Sequence, residues 1–193
     1  MGKIIRSSSR NEFEYHDEKH RFEHWYVDNQ VYFITARCRD RFPAFNSDEA
    51  KQIFWNKFEQ YAAQFNFIPW IVTLMNNHYH ALGYLRVGTD LKTFMQRLHG
   101  SVTKMVNDLL SERRENFWRD TKGREYFDGC IRNALQGRRT YRYVLLQAVR
   151  HGIVPDRLLH PHTRVYIEME RAIRRAEELD AFLKGVPYNR YGE

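Results

Sequence analysis

Two apolar, strand-like runs, "NFIPWIVTLM" (66–75) and "HYHALGYL" (78–85), meet at Asn76-Asn77. Asparagine suits a tight turn because its short amide bonds the nearby backbone. So short a connection sends the second run back antiparallel to the first. Upstream, "QVYFITARC" (30–38) is β-branched and aromatic and alternates, with Val31, Phe33 and Thr35 on one face of a strand. Between them lies "NSDEAKQIFWNKFEQYAAQF", a helix that Ser47 caps and whose first turn is acidic. Its Ile53, Phe54, Phe58, Tyr61, Ala62 and Phe65 share a face. After the hairpin, "TDLKTFMQRLHGSVTKMVNDLLSE" carries a stripe of Leu91, Phe94, Met95, Leu98, Val102, Met105, Val106 and Leu109 and predicts a long amphipathic helix.

That order of strand, helix, strand, strand and helix predicts an α+β fold. It is a ferredoxin-like antiparallel sheet with helices on one face, followed by a C-terminal helical extension. Residues 1–20 read as a polar tail, 21–155 as the main domain and 156–193 as the extension. Everything after residue 113 reads as additions to the core. There, "RRENFWRDTKGREYFD" predicts a charged loop or hairpin, and "CIRNAL" a short helix broken by Gly137. "RTYRYVLLQAVRHG" predicts a helix ending at Gly152. A last amphipathic helix spans about 165–184, with Met169, Ile173, Ala176, Leu179 and Leu183 inward.

The 193 residues have a net charge of +7, and the excess is local. From Arg113 to Arg150 there are ten Lys or Arg against four acids. A polyanion such as nucleic acid suits that asymmetry, and a solvated basic face is the alternative. Cys38 and Cys130 are far apart, in no metal-like spacing, and read as reduced core thiols. "MGKIIRSSSR" has no apolar signal core, and no run reaches the roughly 18 apolar residues of a membrane helix. The expectation is a soluble, cytoplasmic protein with no membrane contact.

Two positions carry chemistry. His78 and His80 are two apart on a strand and project from one face, close enough to share an ion, while Tyr79 points into the helix layer. Two imidazoles fill only part of a metal shell. The alternative is a pair of exposed sheet-face histidines. Tyr143 and Gln147, four apart, share a helix face with a stripe that extends toward Arg150; Leu145, Ala148 and Val149 occupy the packing side. A phenol beside an amide oxygen suits a nucleophile next to a metal, and an interfacial tyrosine is the alternative. Tyr141 is a rival nucleophile, but it lies about 200° round the helix from Tyr143. His160-Pro161-His162 reads as a surface turn.

His-hydrophobic-His on a strand, with Tyr-x-x-x-Gln on a later helix, resembles the single-tyrosine HUH transposases of bacterial insertion sequences. "HWYVDNQVYFITARCRDRFPAF" resembles the first strand region of the REP-associated tyrosine transposases. "LMNNHYHAL" sits where that family has Met-Pro-Asn-His-x-His, with Asn76 in place of the proline. "DLKTFMQRLHGSVTKMVN", "FWRDTKGREYFDGCIRN" and "YRYVLLQAVRHGIV" follow in the family's order, so that the likeness covers roughly residues 22–155. The resemblance implies that His78, His80 and Gln147 hold a Mg²⁺ or Mn²⁺ against a scissile phosphate. Tyr143 then attacks to leave a 5′-phosphotyrosine link and a free 3′-OH. The implied partner is single-stranded or hairpin DNA, contacted through Arg119, Lys122, Arg124, Arg132, Arg138, Arg139 and Arg142. Phe117, Trp118, Tyr126 and Phe127 either stack on bases or anchor their loop to the core. Two other readings stay open: a domesticated nucleic-acid-binding protein of the same fold without cleavage, and a phosphodiesterase that uses water.

Overall fold

The computed structural model describes residues 26–119, 123–156 and 160–185; the N-terminal tail assigned to 1–20 lies outside them. β1 (Gln30–Arg37), α1 (Asp48–Gln64), β2 (Phe67–Leu74), β3 (His78–Leu85) and α2 (Asp90–Asn107) follow one another as expected. The Ser47 side chain accepts a bond from the Ala50 amide and caps α1. β1 and β2 both pair antiparallel with β3, which puts β3 in the middle of the sheet.

The second half of the chain departs from the sequence reading in four places. Phe127–Cys130 is a strand, β4, paired antiparallel with β1. The chain beyond residue 113 therefore completes the core sheet and is not only an addition to it. "CIRNAL" is no separate helix: Cys130 ends β4, and Asn133 caps α3 (Ala134–Leu145) by accepting from the Gln136 amide. Gly137 does not break that helix. It lies inside it, buried, where a Cβ would come within 2.6 Å of the Ile173 Cδ1. Finally, the helix of the "RTYRYVLLQAVRHG" stretch stops at Leu145 and resumes as the single turn α4 (Gln147–Arg150). Thr163–Val165 forms an edge strand, β5, so α5 begins only at Met169 and runs to Lys184.

The resulting sheet has the order β4-β1-β3-β2-β5. Its two faces bury different layers. Tyr32, Ile34, Ala36, Val72, Leu74, Tyr79 and Ala81 point toward α1 and α2, where they meet Phe54, Phe58, Phe94 and Leu98. Val31, Ile71 and Leu82 point the other way, against Tyr141, Val144, Ala172 and Ile173 of α3 and α5. α1 and α2 thus share one face as predicted, whereas α3, within the main domain, packs with α5 of the extension on the opposite one. Thr73, on that second face of β2, donates its hydroxyl to the Val144 carbonyl at 2.9 Å and ties α3 to the sheet. Among the described residues no helix is long and apolar enough to cross a membrane. Cys38 and Cys130 are both free thiols, and burial pushes them up to about 12 and about 11, away from reactivity.

Candidate active site

Strand alternation sends Tyr79 into the α1–α2 layer, where its hydroxyl shares a hydrogen bond with the His99 Nε2 at 3.0 Å. It sends His78 and His80 to the α3 side, their ring centroids 5.1 Å apart. Both are buried, at 5% and 3% exposure, so they are not the exposed pair that the bland reading supposed. Each is anchored through Nδ1. The His78 Nδ1–H donates to the Asn77 Oδ1 at 2.6 Å, and the His80 Nδ1 shares a hydrogen bond with the Thr35 hydroxyl at 2.7 Å. Thr35 can do this because it faces His80 across the β1–β3 ladder. Burial, with Arg37 and His151 nearby, holds His78 down to about 4. Burial first, then His78, Arg37 and His151, holds His80 down to about 3, and a hydrogen bond with the Gln147 side chain opposes the shift. Both imidazoles are therefore neutral near pH 7.

α3 delivers Tyr143 to this pair within the same chain. Its ring centroid lies 5.2 Å from His80 and 5.8 Å from Phe33, edge to face with both. The side chain stays 37% exposed, and its hydroxyl makes no hydrogen bond among the described residues. Tyr141 is the opposite case. It is 2% exposed, and its hydroxyl donates to the Ile167 carbonyl at 2.8 Å, which locks α3 to the chain entering α5. Gln147, one residue past the helix break, is 2% exposed rather than on a solvated stripe. Its amide nitrogen donates to the Tyr143 carbonyl at 3.0 Å, and its side chain lies close enough to His80 to oppose the downward shift of that imidazole.

The residues fit a divalent metal. With each Nδ1 engaged by an oxygen, Nε2 remains as the ligating atom, the usual outer-shell device for fixing a histidine's tautomer. Two neutral imidazoles and an amide oxygen leave positions for phosphate oxygens. Among the described residues no group of three His, Cys, Asp or Glu could hold a metal.

The basic residues divide. Arg139 and Arg142 line a groove of about 530 Å³ beside Tyr143, together with Arg150. Arg138, by contrast, makes a forked contact with Glu170 of α5 at 2.9 to 3.2 Å and serves the α3–α5 packing. Arg119, Arg124 and Arg132 do not line that groove: the Arg119 Nε donates to the Gly123 carbonyl, Arg124 is half-buried ahead of β4, and the Arg132 amide donates to the Gln136 side chain at the turn into α3. Lys122 lies outside the described residues. Phe117, Trp118 and Tyr126 are core residues at 4%, 4% and 9% exposure, so they anchor the loop and do not stack on bases. Phe127 is half-buried, against Phe33 at 6.3 Å. The second His-x-His turn packs on the end of β2, where His160 donates to the Leu74 carbonyl and His162 accepts from the Trp55 indole.

Sequence reasoning missed Arg37 and His151. Arg37 pairs with His78 in the β1–β3 register, and the His151 ring lies 5.5 Å from His78. The only sequence signals were the period of two from Thr35 and the four-residue step from Gln147.

Three comparisons place this geometry among known proteins. No curated protein matches the chain significantly. The structure of a REP-associated tyrosine transposase bound to a REP hairpin matches with a TM-score of 0.62 at 18% identity, covering 75% of this chain and 82% of that one. At that identity the match establishes the fold. A Deinococcus radiodurans protein described provisionally as a transposase matches at 14% identity and TM-score 0.45, over 66% of this chain and 95% of that one, and carries no weight here. The family model described as "Transposase IS200 like" matches residues 26–146, from just before β1 through Tyr143 and to one residue short of Gln147. The chain therefore belongs to the IS200-like transposase family.

Proposed function

We propose that this transposase cuts and rejoins single-stranded DNA beside a hairpin through a covalent 5′-phosphotyrosine. The observation that carries the reading is the approach of Tyr143 to His80, at 5.2 Å between rings in one chain, with the buried Gln147 side chain bonded to the Tyr143 carbonyl beside them. The Tyr143 oxygen forms a bond to phosphorus while the bond to the 3′-oxygen breaks. The phenol gives up its proton and the departing 3′-oxygen gains one. Energy stays in the phosphotyrosine bond, so a 3′-OH from another end reverses the step and joins strands without ATP. His78, His80 and Gln147 would hold a Mg²⁺ or Mn²⁺, which when bound polarises the phosphate and offsets its developing charge.

The remaining work falls to the protein's own groups. Phe33, wedged edge-on against Tyr143 and stacked on His80 at 5.8 Å, keeps nucleophile and ligand in one arrangement. Arg150 lies over the Tyr143 ring at 5.2 Å, in position to meet a phosphate brought to the phenol. A strand must bend to enter this site, which a stacked duplex resists. The similar protein was solved with a REP hairpin, which supports a hairpin flank for the cleaved strand. The test is a gel of labelled hairpin strand, its complement and the annealed duplex, with and without EDTA. Cutting of the hairpin strand alone, lost in EDTA and restored by Mg²⁺ or Mn²⁺, is expected. Equal cutting of duplex and single strand, or full activity in EDTA, refutes it.

A further inference from the structure

The groove beside Tyr143 combines two kinds of surface. Phe33, Tyr143 and Leu146 supply apolar and aromatic area; Arg139, Arg142 and Arg150 supply charge. Leu146 occupies the break between α3 and α4, with backbone angles of −96° and 6°, and there its side chain stands 38% exposed. One exposed leucine needs no explanation. This one adjoins a 37% exposed tyrosine and three guanidinium groups that form no ion pair among the described residues. Glu170 acts on Arg142 only through space, and its carboxylate is bonded to Arg138.

An apolar platform ringed by uncommitted arginines fits a ligand with a flat apolar part and anionic flanks, which is the chemistry of an unpaired nucleotide. We propose that this groove takes an unpaired base next to the phosphate at Tyr143, with the base against Phe33 and Leu146 and its flanking phosphates on the arginines. The proposal rests on the cleavage reading above only for the identity of the phosphate at Tyr143. It adds a reason for strand selectivity: a paired base cannot leave its stack to fill the groove.

The experiment uses the full chain in EDTA, so that binding is read without turnover. The probes are a thymidine oligomer and an abasic oligomer of the same length. Stacking of one base predicts that the wild type prefers the thymidine strand by about tenfold or more. Leu146→Ala should reduce that preference several-fold. Arg139→Gln and Arg142→Gln should weaken both oligomers alike and flatten the salt dependence. The proposal is overturned if the wild type shows no preference, or if Leu146→Ala keeps it in full while the arginine variants lose affinity. Circular dichroism melts of each variant show that a loss of binding is not a loss of fold. Adduct formation with Mg²⁺, scored separately, separates the two claims. No adduct with the Leu146-dependent preference intact refutes cleavage and keeps the base pocket. An adduct without that preference does the reverse.

Discussion

Tyr141 and Tyr143 lie two residues apart on α3, and the structure predicts opposite consequences for losing their hydroxyls. Tyr141→Phe keeps the buried ring and removes the 2.8 Å bond to the Ile167 carbonyl. A hydrogen bond of that kind contributes about 1 kcal/mol net. In a chain of this size that lowers the melting temperature by about 2–4 °C. Tyr143→Phe removes a hydroxyl with no hydrogen-bond partner among the described residues and keeps the ring contacts to His80 and Phe33. Its stability should stay within about 0.5 kcal/mol of wild type. Function should move the other way: Tyr141→Phe forms the DNA adduct and Tyr143→Phe forms none. Urea or thermal melts, run beside denaturing gels of protein incubated with labelled hairpin strand and Mg²⁺, read both quantities. Crossed results, with Tyr143→Phe less stable but still forming adduct, would show that the two tyrosines have been assigned the wrong roles.

Three further outcomes follow from the same geometry. Burial holds His78 to about 4 and His80 and His99 to about 3, so the unfolded chain takes up protons that the folded chain excludes. Metal-free stability should be complete above about pH 6.5 and should fall toward pH 4, by up to about 1.4 kcal/mol per pH unit for each histidine; urea unfolding that is flat across that window would contradict it. Thr35→Val removes only the oxygen that fixes His80, so Mn²⁺ affinity measured by titration should drop about 10- to 100-fold. Thr35→Ser should restore it, and equal loss in both variants would count against the positioning role. His80→Ala should abolish cleavage, whereas Gln147→Ala should be milder because water can replace a neutral ligand; single-turnover rates of the two variants rank them, and the reverse order would displace Gln147 as a ligand.

Long periodic elements were legible in the sequence; short ones were not. The alternation of residues 30–38 and the stripe of α2 are each long enough to show their period; both elements formed, although Met105 is exposed and Leu109 lies beyond the end of α2. β4 is four residues containing Gly129, and β5 is three. Neither carries a pattern, and each exists because a neighbouring strand offers open hydrogen bonds. Gly137 was misread because a glycine against Ile173 and a glycine that ends a helix look the same in one dimension. In the site, His78 and His80 were visible because both lie on β3, and Tyr143 with Gln147 because they are four residues apart, although a break at Leu146 puts them in successive helices. Thr35, Arg37 and His151 were not. Their relation to the histidines depends on the β1–β3 register and on where α4 ends, and neither can be read from one stretch of chain.

The most direct test of the account is the chemical identity of the protein–DNA link. Wild-type protein is incubated with the hairpin strand and Mg²⁺, denatured, and digested with protease and nuclease, and the nucleotide-bearing peptide is sequenced by mass spectrometry. The account predicts a nucleotide joined through its 5′-phosphate to Tyr143, with a free 3′-OH on the released fragment. A cut strand with no protein attached would make this a hydrolase that uses water, and a link to Tyr141 or to any other residue would contradict the site.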